Sequence, residues 1–221
     1  MVLRSVILMM LTSCVLSSTI LEQCKEQHDI AFVLDSSRSM VEQGLVMAQS
    51  LALNVVNGFS VGEDKTRVGL ITFSEESHIQ FHFDTYYTKE EIYLAVTSHD
   101  GINFTSASID KAYKAIELLF SSSFGSRPDV SRFVVFISNG LFTTTNMTSG
   151  LSGMLDRLKE MKVKILVAGV GIEVNKPRLE KVVDDKIKDV VTAEEFNAPM
   201  LIQRIRELTD EFCQMKMNPK D

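Results

Sequence analysis

Basic clusters, long apolar runs and cysteines are all scarce in this sequence. Its 221 residues carry 23 Lys and Arg against 29 Asp and Glu, a formal charge of −6, with no concentrated basic patch. That argues against nucleic acid or an anionic membrane as a partner. Beyond the first stretch, no apolar segment approaches the roughly 20 residues that a membrane span needs. Only three cysteines occur. There is no internal repeat, no low-complexity tract and no linker, which points to one domain with a single core. A phosphate-binding P-loop is missing, and Gly169-Val170-Gly171 lacks the third glycine of a dinucleotide loop. No acid–base pair and no nucleophile with its base assemble along the chain, so an enzyme is not expected.

What is present begins with a leader. MVLR supplies positive charge, and SVILMMLTSCVLSS is a short apolar segment ending in small residues. Residues 1–18 read as a secretory signal peptide cleaved near Ser17 or Ser18. A retained N-terminal anchor is the alternative. The expected product is a secreted, extracellular protein without a membrane span after cleavage. Cys14 lies in the leader. Cys24, in a short segment 19–27, and Cys213, at the end of the last predicted helix, remain. In an exported protein such a pair suggests a disulfide closing the domain. Free thiols and pairing with another chain stay open, because sequence does not fix connectivity.

Four runs are continuously apolar: 31–34, 68–73, 133–138 and 164–171. They suit strands buried on both faces, as in parallel sheets. HIQFHF (78–83) alternates instead. It predicts an antiparallel edge strand with Ile79, Phe81 and Phe83 on one face and His78, Gln80 and His82 on the other. DVVT (189–192) is a candidate last strand. Helical spacing covers about Met40–Val56, 88–96, 106–120, 149–161 and about Ala198–Phe212, with Thr88 and Glu91 at capping-box distance. Strands alternating with helices predict an α/β fold: a mostly parallel central sheet, one antiparallel edge strand, and helices on both faces.

The first strand ends in an unusual way. DIAFVLDSSRSM (29–40) runs from apolar residues into Asp35, with Ser37 and Ser39 at alternate positions after it. One reading is capping, since Ser39 and Glu42 have capping-box spacing and Asp35 or Ser37 suits the preceding turn. The other is a metal site. One carboxylate and two hydroxyls offer only oxygen, which suits a hard divalent cation such as Mg2+. In open α/β sheets, ligands bind beyond the carboxyl ends of strands, where this segment and Asn139-Gly140 both fall.

These segments together resemble a von Willebrand factor type A domain, the fold shared with integrin inserted domains. The resemblance covers about residues 28–213. It rests on DIAFVLD followed by SSRSM, then RVGLITFS, GINFTSASIDKAY, FVVFISNG and VKILVAGVG in the family's order. It implies a metal-ion-dependent adhesion site on top of the sheet, and cysteines that bracket the domain also occur in the family. Asp35, Ser37 and Ser39 match its first metal loop. The second loop usually reads Gly-Gly-Thr-x-Thr; here Asn103 takes the ligand position and Thr105 the later one. The third usually reads Asp-Gly; here it is Asn139-Gly140. Both departures cost charge, because an amide oxygen is neutral. Weak magnesium affinity, or none, is expected.

Asn103-Phe104-Thr105 and Asn146-Met147-Thr148 are also N-glycosylation sequons. A glycan on Asn103 and a metal on Asn103 exclude each other. The resulting expectation is a secreted adhesion module that recognises an extracellular protein, in one version through an acidic residue completing a weak cation site. The alternative is a metal-independent interaction module. A serine hydrolase is remote: Gly58-Phe59-Ser60-Val61-Gly62 spells a nucleophile elbow, but it follows a helix instead of a strand. His78 and His82 are about 13 Å apart on an extended strand, too far to chelate one ion. The tail 214–221 carries no cell-attachment signal.

Overall fold

The continuous apolar runs become the interior of one sheet, because each has neighbours on both sides and helices above and below. A computed structural model describes residues 21–99, 106–143, 150–171, 173–183, 190–191 and 198–217. The predicted leader, 1–18, and both sequons, at Asn103 and Asn146, lie outside the described residues. The strands are β1 (His28–Asp35), β2 (Thr66–Phe73), β3 (Ser77–Phe81), β4 (Ala107–Ser108), β5 (Ser131–Ser138), β6 (Phe142–Thr143), β7 (Val163–Gly169) and β8 (Val190–Val191). The helices are α1 (Val41–Asn57), α2 (Lys89–Thr97), α3 (Ile109–Leu119), α4 (Gly150–Glu160), α5 (Lys176–Glu180) and α6 (Ala198–Met217).

The main sheet has the order β3-β2-β1-β5-β7-β8. All its pairings are parallel except β2 with β3 at the edge. One core lies between the sheet and α1, α2 and α6, with Phe32, Leu51, Ile92 and Ile205 among its members. The other lies against α3, α4 and α5, with Phe73, Tyr113, Leu158 and Leu179. The α/β class, the mostly parallel sheet and the antiparallel edge are therefore as expected. Thr88 forms the expected capping box with Glu91 at the start of α2.

Three features differ from the sequence reading. Ile79, Phe81 and Phe83 do not share a face: Phe81 enters the first core, while Phe83 enters the second and Ile79 packs against it. A bulge separates Ile79 from Phe81, and Phe83 lies past the end of β3, outside the strand's alternation. Leu70 opposes Phe81 but Ile71 opposes Ile79, so Gln80 is an extra residue and the alternation slips by one. Second, β4 and β6 form a separate two-stranded parallel ladder, Ala107 beside Phe142. Third, α6 continues past Phe212 to Met217, into the segment read as a tail. Cys24 and Cys213 are bonded to each other, 189 residues apart in sequence and 6.0 Å between Cα atoms.

Candidate functional site

The chain order places a crevice between β1 and β5. From β1 the chain steps to β2 on one side, and only later does β5 fill the other side. That reversal is the point where open α/β sheets hold ligands. Asp35 ends β1 and Asn139 directly follows β5, so both loops open into the crevice.

Asp35 is fully buried. Its Oδ1 accepts a hydrogen bond from the Ser37 backbone N–H at 2.9 Å, and its Oδ2 accepts one from Ser138 Oγ at 2.6 Å. Burial pushes its carboxyl above the ordinary carboxylate range, while the bonds from Ser138 and Ser37 pull it back. Ser37 Oγ and Ser39 Oγ are 2.9 Å apart. Ser39 Oγ in turn donates to Asn139 Oδ1 at 3.3 Å, and Asn139 Nδ2 donates to the Ser39 carbonyl at 2.8 Å. Four of the five predicted ligands, Asp35, Ser37, Ser39 and Asn139, therefore form one connected cup. The fifth, Asn103, lies outside the described residues.

The capping reading fails for the serines. Ser37 makes no side-chain cap bond to the short 3-10 turn Arg38–Met40, and Met40, not Ser39, occupies the cap position of α1. Asp35 alone acts locally, tying the turn at Ser37. Asn139 is buried and held from three sides. Its Oδ1 also accepts from the Leu141 N–H, and its carbonyl accepts from the Asn175 N–H at 2.7 Å. Gly140 must be glycine, with φ of 80° and the Asn175 carbonyl 2.7 Å from where a Cβ would stand.

One contributor was missed from sequence. Ser138 looks like the last residue of an apolar strand, yet it donates to Asp35 and accepts from the Gly140 N–H. Val41, two residues after Ser39 in sequence, has φ of 50°, a region that β-branched residues seldom occupy. Backbone strain of this kind gathers at binding sites. Elsewhere, Gly58 follows the end of α1, and Ser60 lies between that helix and β2, so the elbow geometry of a hydrolase is not formed. Among the described residues, no group of three or more His, Cys, Asp or Glu converges on a point.

A profile of the family described as von Willebrand factor type A domain matches residues 29–208. The chain belongs to that family. This type A domain is 26% identical over 193 residues to the mouse collagen alpha-4(VI) chain, covering 87% of this chain and 8% of that protein. It is 25% identical over 166 residues to chicken Matrilin-1, covering 74% of this chain and 32% of that protein. The type A domain thus spans only a small part of the curated relatives it matches. Solved structures share the fold. Manganese-loaded TRAP protein of Plasmodium vivax superposes with a TM-score of 0.71 at 16% identity, over 83% of this chain and 74% of that one. Proximal thread matrix protein 1 of the mussel byssus, with a zinc-occupied MIDAS motif, gives 0.66 at 22% identity, over 86% and 46%.

Proposed function

We propose that this type A domain is an extracellular protein-binding module whose partner docks on the face around Asp35, Ser37, Ser39 and Asn139. The observation that carries the reading is the cup itself: four oxygen-bearing side chains from two loops, joined at the switch point of the sheet. Relatives that are collagen VI chains and a matrilin support an extracellular, adhesive setting.

The donor set fits a hard cation in kind and in spacing. Octahedral magnesium, with bonds of about 2.1 Å, places neighbouring oxygens about 3 Å apart. The Ser37 and Ser39 hydroxyls stand at 2.9 Å. Charge is the weakness, since Asp35 is the single carboxylate among the described residues of the cup and both of its oxygens already accept hydrogen bonds. Ser37 and Ser39 would hold the ion, Asp35 would supply charge, and the Asn139 amide oxygen would add a neutral donor. Asn103 is the proposed fifth position. A bound ion would supply an electrophile for an acidic side chain of the partner.

Magnesium calorimetry on the deglycosylated domain tests this. Weak binding is expected, because magnesium dehydrates reluctantly and the described residues offer it one carboxylate. Asn139→Asp restores a second carboxylate and should tighten it by about tenfold or more. An absence of heat from both proteins would remove the cation from the reading. The single charge also favours a second reading, in which partner binding ignores metal and Asn103 and Asn146 carry glycans. Mass-spectrometric occupancy near completion at Asn103, with chelator-insensitive partner binding, would select it.

A further inference from the structure

Asn-Gly occurs twice in the chain, at Asn57-Gly58 and at Asn139-Gly140. An asparagine before glycine is open to attack on its own amide carbon by the next main-chain nitrogen, because glycine has no Cβ to shield that nitrogen. The two pairs stand in different surroundings. The Gly58 N–H donates to the Val55 carbonyl at 2.9 Å and closes the last turn of α1. The Asn139 pair lies within the cup.

The groups around Asn139-Gly140 match what the attack needs. The Gly140 N–H donates to Ser138 Oγ at 3.0 Å, which enriches the nitrogen in electron density. Ser138 directs its own hydrogen to Asp35 Oδ2 at 2.6 Å, so its lone pairs are left for the glycine. The amide oxygen of Asn139 accepts from the Leu141 N–H at 2.9 Å and from Ser39 Oγ at 3.3 Å. Negative charge grows on that oxygen as the nitrogen adds, and two donors already face it. Ser39 is only half-buried, which gives water a way in.

We propose that Asn139 deamidates within the folded cup and gives it a second carboxylate. Gly140 N bonds to Asn139 Cγ, the Cγ–Nδ2 bond breaks, and Nδ2 leaves as ammonia with the proton from Gly140. Water then opens the cyclic imide at Cγ, and residue 139 becomes aspartate. Opening at the main-chain carbonyl would insert a backbone carbon beside Gly140, where the Asn175 carbonyl already stands 2.7 Å from the place of a Cβ. The new oxygen takes the place of Nδ2, which now donates to the Ser39 carbonyl at 2.8 Å. Two acceptors then face each other, and a cation between them relieves the repulsion. The cup thus gains cation affinity with age; that consequence, unlike the chemistry, rests on the reading of the cup as a cation site.

The test ages the disulfide-bonded domain at mildly alkaline pH in heavy-oxygen water and follows residues 57 and 139 by peptide mass mapping. Asn139 should convert about tenfold faster than Asn57 in the folded chain. In urea the two rates should even out. Aspartate should exceed isoaspartate at position 139. Ser138→Ala and Ser39→Ala should each slow Asn139 by about tenfold, with Asn57 as the internal standard. Conversion no faster at Asn139 than at Asn57, a majority of isoaspartate, or a rate unmoved or raised by both serine variants would overturn the proposal. Magnesium should bind the converted domain about tenfold more tightly than the fresh one. A converted domain that gives no magnesium heat would remove the cation from the proposed function, with the deamidation standing.

Discussion

At the residue scale, His28 shows what burial does to an ionisable group. It opens β1, is almost fully buried, and places Nδ1 3.0 Å from Thr66 Oγ1 with its ring edge-on to Phe59. Burial, then the positive charges of Arg127 and Arg206, lower its pKa to about 4. The unfolded chain holds an ordinary value near 6.5. Between those values the unfolded state binds a proton that the folded state refuses. The stabilisation is therefore full above about pH 6.5 and is lost as pH falls towards 4. Over that window the change amounts to about 3 kcal/mol. Urea denaturation at a series of pH values should show this rise, and His28→Gln should flatten it. An equal slope in the variant would contradict the assignment. Nothing around His28 in sequence signals this, because Thr66 and Phe59 arrive from 38 and 31 positions away. Asp29 is similar: Arg127 clamps its carboxylate through Nε at 2.9 Å, Nη2 at 2.7 Å and the backbone N–H at 2.6 Å.

At the scale of elements, the join between α1 and α6 is tight at one point. Gly58 caps α1, and a Cβ there would stand 2.5 Å from Ile202 Cδ1 and 2.8 Å from its Cγ1. The backbone itself, φ −74°, would accept alanine. Gly58→Ala should thus cost about 1–2 kcal/mol through overpacking alone. Ile202→Val should recover part of the loss, a coupling that a double-mutant cycle in urea measures. A fully stable single variant would show that α6 shifts freely. Element types were legible in sequence wherever a period was strong. The apolar runs of β1, β2, β5 and β7 and the capping box of α2 are local signals. The slip at Gln80 was not legible, because a bulge depends on the partner strand. Nor was the ladder of β4 with β6, two residues each, too short to carry a period.

For the whole molecule, the disulfide joins the segment before β1 to the last turns of α6. A closed loop of 189 residues restricts the unfolded chain more than the folded one. The Cys24→Ser/Cys213→Ser variant should lose about 2–5 kcal/mol while keeping the same sheet. Thermal melting with and without reductant measures this. A melting temperature unmoved by either change would show that packing alone holds α6. The Lys25–Asp210 ion pair, 2.8 Å and exposed on both sides, adds little at the same junction.

The sequence by itself determined the class of the fold and the chemistry of the cup. Hydrophobic period is a local property, and Asp35, Ser37 and Ser39 sit within five residues on one turn. Tertiary structure decided the rest. It bonded Cys24 to Cys213, brought Asn139 to Ser39 across 100 positions, and recruited Ser138 to hold Asp35. Those pairings depend on which strand lies beside which, and strand order arises from packing both faces of the sheet at once.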